Sequence, residues 1–89
     1  MPDERILAEK LIEYITQQVI RRPGVEVTAD TPLVSSGLID SFALVDILAK
    51  LEDVTNMRIS AGKVQPRDMD TVTLMLSTAR RVGKPKKSV

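Results

Sequence analysis

The chain has 89 residues, the size of one small domain, and it contains no cysteine and no histidine. Disulfides, thiolate metal sites and catalytic triads built on histidine are therefore excluded. The formal net charge is +1, but residues 80–89 hold five basic residues and no acid, which leaves residues 1–79 with a net charge of −4. No apolar run approaches the roughly 20 residues that cross a bilayer, and the charged N-terminus is unlike a signal peptide, so we expect a cytoplasmic protein without membrane insertion.

The first half of the chain predicts one helix followed by a long loop. Residues 4–21, ERILAEKLIEYITQQVIR, carry apolar residues at helical spacing. The predicted apolar face consists of Ile6, Leu7, Leu11, Ile12, Ile15, Val19 and Ile20. Residues 23–40 are rich in proline, glycine, serine and threonine, which predicts a loop. Its apolar residues, Leu33, Val34, Leu38 and Ile39, are predicted to anchor it on the helices.

The second half predicts two further long helices and a short one. Residues 41–53 form the second helix, with Leu44, Ile47, Leu48 and Leu51 on its buried face. Residues 54–69 predict one short helix, with core contacts from Ile59, Val64 and Met69. Residues 70–82 predict the last helix, with Asp70 as its N-cap and Gly83 just beyond its end. The predicted buried stripe of the last helix is Val72, Met75, Leu76 and Ala79.

These elements predict an all-α fold, a small four-helix bundle of three main helices plus one short helix, with a long loop between helices 1 and 2. Residues 1–82 form the domain, and residues 83–89 are expected to be a basic, disordered C-terminal tail. The tail has two interpretations: a solvated chain end, or a segment that contacts nucleic acid, an anionic surface or an acidic partner.

The stretch GLIDSFALVDILAKLED, residues 37–53, places Ser41 between Asp40 and Phe42 at a junction of loop and helix. Ser41 is a preferred helix-capping residue, which is its structural interpretation. However, Asp40 already supplies a cap, so a second capping side chain is redundant. Phe42 is expected to be exposed, and a large apolar residue beside a hydroxyl suggests a contact surface. Ser41 is therefore a candidate site for chemistry.

This stretch resembles the phosphopantetheine attachment site of acyl and peptidyl carrier proteins. The family pattern is glycine, then aspartate and serine, then a bulky apolar residue and an amphipathic helix. The resemblance covers nearly the whole chain, including TPLVSSGLIDS before helix 2 and MDTV at the start of the last helix. It implies that a phosphopantetheinyl transferase attaches 4′-phosphopantetheine from coenzyme A to Ser41, and that Asp40 assists this attachment.

The resemblance also implies what the chain carries and meets. The thiol of the arm would hold an acyl or aminoacyl group as a thioester, so no catalytic and no metal-binding side chain is expected. Further partners would be an acyl or aminoacyl ligase, such as an adenylation enzyme, and a downstream acyltransferase, synthase or tailoring enzyme. The partner face that matches the family consists of Phe42, Ala43, Asp46, Ala49, Glu52 and Asp53. We expect the carrier to be a monomer.

Three departures from fatty-acid carriers indicate a specialised pathway. Ala43 stands where an acid is common, Lys50 adds a positive charge to helix 2, and the C-terminal tail is basic. A discrete carrier for an amino acid or a short acyl or extender unit, in polyketide, nonribosomal peptide or cell-envelope biosynthesis, fits these departures. The alternatives are an unmodified helical adaptor and a nucleic-acid module that uses the tail. An enzyme acting alone is disfavoured because histidine, cysteine and a metal cluster are all lacking.

Overall fold

The structure describes residues 4–21 and 24–85 of this computed structural model, and it contains three α-helices and two short strands in that part of the chain. The helices are α1 (Glu4–Tyr14), α2 (Ala43–Thr55) and α3 (Val72–Val82). The strands are β1 (Met57–Arg58) and β2 (Lys84–Pro85), which pair antiparallel. The mostly helical prediction is confirmed, but the all-α prediction missed this two-stranded sheet.

Helix α1 buries a stripe of residues four apart. Leu7, Leu11 and Ile15 are fully buried, as the helical spacing predicts. Ile6 was predicted on the same face, but 49% of its surface is exposed. It lies about 100° around the helix from Leu7, beyond the edge of the buried stripe. The first helix therefore packs with a narrower apolar face than its composition predicts.

The first helix ends in a wider coil than an α-helix. Ile15–Ile20 form a π-helix, and Ile15 and Ile20, five residues apart, are both buried. Arg21 ends the coil in the left-handed region at φ 56°, and its N–H donates to the Thr16 carbonyl at 3.0 Å. Because the turns are wider, the apolar residues that follow Tyr14 stay against the core.

The loop between α1 and α2 packs against the core through the predicted anchors. Leu33 and Ile39 are buried, and Val34 and Leu38 are half-buried against the same cluster. The residues VEV at 25–27 have no regular structure, although Val27 is buried. The described part of the loop, residues 24–40, is therefore anchored on the core as predicted.

Helix α2 contacts both other helices and carries the expected core stripe. Ile47 and Leu51 are buried, and Leu44 and Leu48 are half-buried against the core. The helix begins two residues later and ends two residues later than predicted, which is the usual error for boundaries. It ends at Asn56, which adopts the left-handed conformation at φ 54° and donates its backbone N–H to the Glu52 carbonyl.

The segment between α2 and α3 holds two 3₁₀-helices, Ala61–Lys63 and Pro66–Met69, in place of the single short helix predicted. Gln65 and Asp68 form a reciprocal capping box on the second of them. The expected core contacts are present, because Ile59 and Met69 are buried and Val64 packs against the core.

Helix α3 is capped by Thr71, so the prediction of Asp70 as its N-cap is wrong. The Thr71 hydroxyl accepts a hydrogen bond from the Leu74 N–H at 3.0 Å. Asp70 instead directs its carboxylate to the loop before α2. The predicted stripe of α3 is confirmed, since Val72, Met75, Leu76 and Ala79 are all buried.

The start of the basic tail is folded onto the domain. Gly83 follows α3, and a Cβ at this residue would collide with the Ala79 carbonyl oxygen, so a glycine is required there. In the strand pair that follows, Lys84 lies opposite Arg58 and Pro85 opposite Met57. Residues 84 and 85 of the predicted tail thus belong to the sheet, and residues 86–89 lie outside the described residues.

Candidate functional site

Ser41 lies in the turn that leads into α2, and its side chain is exposed. The Asp40 carboxylate accepts a hydrogen bond from the Ala43 N–H at 2.9 Å, so Asp40 performs the capping role. Within residues 4–21 and 24–85, the Ser41 hydroxyl has no hydrogen-bond partner. It therefore stands in water at the N-terminal end of a 13-residue helix, where backbone N–H groups and the helix dipole favour an anion.

An apolar groove of about 200 Å³ opens beside Ser41. One wall is the side of α2 that carries Leu44, Val45 and Leu48. The opposite wall comes from residues 61–69 and includes Met69, which is buried at the base of the segment. We call this the Ser41 groove. Its lining is mostly apolar, so it favours apolar groups over charged ones.

The predicted partner face is only partly open to solvent. Phe42, Asp46, Ala49 and Asp53 are exposed, and Phe42 exposes 84% of its surface. Ala43 is half-buried and packs against the core.

Glu52, the sixth predicted partner residue, has a structural role. It is half-buried, and its carboxylate accepts the Ile59 N–H at 2.9 Å. That bond ties the end of α2 to the segment that follows β1. The carboxylate is thus engaged within the domain before any partner arrives.

Val45 belongs to the exposed face, although its sequence position beside the core stripe did not indicate it. It exposes 70% of its surface and follows Phe42 by three residues, with Ala49 four residues further on. This spacing places the three residues on one side of the helix, and it was the available signal. We call Phe42, Val45, Asp46, Ala49 and Asp53 the α2 face.

Lys50 lies outside this face and leaves Asp46 available to a partner. Asp46 lies four residues before Lys50, a spacing that allows an ion pair, but the Lys50 ammonium lies 3.9 Å from Asp53 instead. It also sits over the Tyr14 ring at 5.6 Å from the ring centroid, a cation–π contact that holds it toward α1. Asp46 is therefore left without a cation among the described residues.

Asp70 gathers the loop that precedes the site. Its Oδ1 accepts N–H hydrogen bonds from Leu33 at 3.1 Å, Val34 at 2.8 Å and Ser35 at 2.9 Å. Its Oδ2 accepts the Ser35 hydroxyl at 2.8 Å. The pKa of Asp70 lies below its ordinary value of 3.8. The largest cause is the hydrogen bond from the Ser35 N–H. Desolvation opposes it, and the hydrogen bonds from the Ser35 hydroxyl and from the N–H groups of Val34 and Leu33 lower the pKa further. The carboxylate is thus ionised at neutral pH, and its stabilising effect is lost only as pH falls through that lowered pKa.

Comparison with known protein families identifies the family of this chain. The sequence profile described as "Phosphopantetheine attachment site" matches residues 9–71, which is more than half of the chain and includes Ser41. The chain belongs to this family. Its members bind covalently attached 4′-phosphopantetheine and are carriers rather than catalysts. No curated protein and no solved structure matches the chain.

The residues around Ser41 fit the family's cofactor. A phosphodiester needs an accessible hydroxyl, and Ser41 supplies one that makes no hydrogen bond to the described residues. The adjoining α2 N-terminus favours the negative charge of the phosphate, and the groove offers the rest of the arm an apolar wall. The described residues contain no cluster of carboxylates that could hold a metal ion. None of their helices is long and apolar enough to span a membrane.

Proposed function

We propose that this carrier bears 4′-phosphopantetheine on Ser41 and holds an acyl or aminoacyl group as a thioester on the end of that arm. The observation that carries the proposal is that the neighbouring residues Asp40 and Ser41 have different roles. Asp40 caps the turn into α2, and Ser41 beside it is exposed and has no hydrogen bond among the described residues. A serine whose only role was capping would instead accept a backbone N–H.

The chemistry at Ser41 is a group transfer by a phosphopantetheinyl transferase. The Ser41 oxygen loses its proton and forms a bond to the phosphorus that carries the pantetheine half of coenzyme A. The pyrophosphate bond breaks, and the nucleotide half of coenzyme A leaves with its remaining phosphates. In this proposal Asp40 assists the transfer from its position beside the hydroxyl. Once attached, the arm supplies the thiol that the cysteine-free chain lacks.

The size of the Ser41 groove supports a small cargo. An engineered cavity of roughly 150 Å³ in another protein accommodates benzene. A groove of about 200 Å³ that opens to solvent therefore offers an apolar surface large enough for a group of a few carbon atoms. The proposal is accordingly a discrete carrier for an amino acid or a short acyl or extender unit, in the cytoplasm where coenzyme A is available, as in polyketide or nonribosomal peptide biosynthesis.

The α2 face is the proposed docking surface for the partner enzymes. It combines the apolar side chains of Phe42 and Val45 with the carboxylates of Asp46 and Asp53. Exposed aromatic anchors provide most of the affinity at interfaces, and acids at their border steer a basic partner into register. The proposed partners are the transferase, an acyl or aminoacyl ligase, and a downstream acyltransferase, synthase or tailoring enzyme.

Phe42→Ala is expected to weaken docking without weakening the fold. Because Phe42 is 84% exposed, its loss removes an anchor and no core contact, and we expect kcat/KM for arm transfer to fall about thirtyfold, the equivalent of a ~2 kcal/mol hot spot. Steady-state transfer kinetics with a fixed transferase measure this. The control is Ile6→Ala on α1, which removes a 49% exposed apolar side chain and should change kcat/KM by less than about twofold. Equal effects of both variants would contradict the assignment of the face.

The proposed function is tested by arm transfer in vitro. The purified chain is incubated with coenzyme A and a broad-specificity phosphopantetheinyl transferase, and its intact mass is followed. We expect a gain of one phosphopantetheine group and no more. An unchanged mass, with a known carrier modified in the same mixture, would favour the alternative of an unmodified helical adaptor.

A further inference from the structure

We propose that Asp70 is a positioning residue, which holds the loop before α2 in the conformation that presents Ser41 to the transferase. This inference rests on the proposed function, because it assigns a role in the modification of Ser41. Asp70 itself contacts neither Ser41 nor the coenzyme donor, and it acts through the loop. We call the four hydrogen bonds from residues 33–35 to its carboxylate the Asp70 clasp.

The clasp engages three successive residues of the loop. The N–H groups of Leu33, Val34 and Ser35 all point to one carboxylate oxygen, and the Ser35 hydroxyl points to the other. The Leu33 N–H also donates to the Asp70 carbonyl at 2.7 Å. These bonds join residues 35 to 37 positions apart in the chain, so local sequence preference cannot replace them. Without the carboxylate, the backbone N–H groups of Val34 and Ser35 lose their acceptor, and the Leu33 N–H keeps only the Asp70 carbonyl.

Backbone hydrogen bonds connect residues 33–35 to the segment just before Ser41. The Gly37 N–H donates to the Val34 carbonyl at 3.1 Å, and the Ile39 N–H donates to the Leu33 carbonyl at 3.1 Å. Gly37 adopts φ 81°, a left-handed conformation that closes the turn. Ile39 is buried, and Asp40 is the single residue between it and Ser41. The conformation of residues 33–35 therefore fixes where the chain enters α2.

Asp70 also connects the loop to the opposite wall of the Ser41 groove. Met69, the residue before it, lines that groove and is buried. On the other side, the Thr73 N–H donates to the Ala29 carbonyl at 3.0 Å, and the Thr73 hydroxyl donates to the Asp30 carboxylate at 3.1 Å. The start of α3, the loop and the groove wall are thus one hydrogen-bonded unit. Asp70 is bonded to the loop by its carboxylate and follows directly on Met69 of the groove wall.

The neighbouring residue provides a matched control. Thr71 caps α3 with its own hydroxyl and has no hydrogen bond to residues 33–35 among those described. Thr71→Ala therefore destabilises the start of α3 and leaves the clasp intact. Asp70→Ala removes the clasp and leaves the cap intact. Asp70→Asn keeps one oxygen that accepts the backbone N–H groups, but its amide nitrogen does not accept the Ser35 hydroxyl, so it is a partial rescue.

The test compares wild type, Asp70→Ala, Asp70→Asn and Thr71→Ala in arm transfer, with Tm and the hydrogen exchange of the loop amides measured on the same unmodified samples. At a temperature where all four proteins are folded, we expect the KM of the transferase for Asp70→Ala to be about tenfold higher than for wild type. Asp70→Asn should lie between Asp70→Ala and wild type. Thr71→Ala should stay within about twofold of wild type, although its Tm also falls.

Hydrogen exchange separates positioning from general destabilisation. The amides of Val34, Ser35 and Ile39 should exchange at least about tenfold faster in Asp70→Ala and at the wild-type rate in Thr71→Ala. If the amides are released but KM matches that of Thr71→Ala, the positioning role is wrong. If Asp70→Ala does not fold, the same comparison is made between Asp70→Asn and Thr71→Ala. If the wild-type chain accepts no arm, the proposed function itself is contradicted. If the wild-type chain is modified and both Asp70 variants match Thr71→Ala, only the positioning role of Asp70 is contradicted.

Discussion

Ser41→Ala is expected to abolish attachment of the arm and to leave the free energy of unfolding within about 0.5 kcal/mol of wild type. The loss of attachment is complete because the phosphodiester needs the Ser41 oxygen. The stability is retained because the hydroxyl makes no hydrogen bond within the described chain, and Asp40 keeps its bond to the Ala43 N–H. The two measurements are intact mass after incubation with the transferase, and chemical unfolding of the unmodified chain.

Ser36→Ala is the matched control for this prediction. Ser36 is also an exposed serine of the same loop, and its hydroxyl donates to the Pro32 carbonyl. Removing it costs a hydrogen bond but leaves Ser41 in place, so attachment should continue. An arm that persists on Ser41→Ala would refute the site. A loss of about 1 kcal/mol or more in Ser41→Ala would instead show that the hydroxyl has a capping role.

Leu33→Ala is expected to destabilise the domain by about 2–5 kcal/mol, the usual cost of truncating a fully buried leucine. For a small domain with a total stability of roughly 5–15 kcal/mol, this is a large share. Leu33 is the apolar anchor of the loop, and its N–H and carbonyl also belong to the bonds that order residues 33–39. Denaturant unfolding monitored by circular dichroism measures the loss.

Leu74→Ala makes the same chemical change at a leucine of α3 that is 42% exposed. Because this side chain is already partly in water, its truncation should cost less than about 1 kcal/mol. Equal losses for the two leucine variants would contradict the anchoring of the loop. In Leu33→Ala, arm transfer at a temperature where the variant is folded should also slow, because the anchor of the loop before Ser41 is gone.

The sequence was sufficient where apolar spacing decides the structure. The stripe of α3 and the anchors Leu33 and Ile39 are buried as predicted, because an apolar residue gains from burial wherever the chain allows it. The junction at Ser41 was also readable, since Asp40 caps it and Phe42 is exposed. Composition and the motif together indicate a candidate site at Ser41, and its modification stays a prediction.

Features that depend on distant partners were not readable. Asp70 and Thr71 are both good capping residues by type, and only the loop 35 residues earlier draws Asp70 away. Lys50 had acids on either side along its helix, and the Tyr14 ring of another element favoured one position of its ammonium. Such choices are made by tertiary contacts that no local pattern contains.

The short strands were missed for a related reason. A strand of two residues has no periodicity to detect, and the pairing of Arg58 with Lys84 joins chain segments on either side of α3. The five basic residues among residues 80–89 predict a disordered tail that includes Lys84. The positive charge predicts that the side chains of Arg58 and Lys84 are exposed, which is correct. It does not predict that their backbones pair.

Fragment mass spectrometry of the chain after arm transfer tests the central claim most directly. Residues 23–49 contain no lysine and no arginine, so Ser35, Ser36 and Ser41 remain on one tryptic peptide and must be distinguished by its fragments. We predict that the added mass first appears in the fragment that includes Ser41 and is missing from the fragment that ends at Asp40. An arm on another serine, or a chain that remains unmodified, would contradict the account.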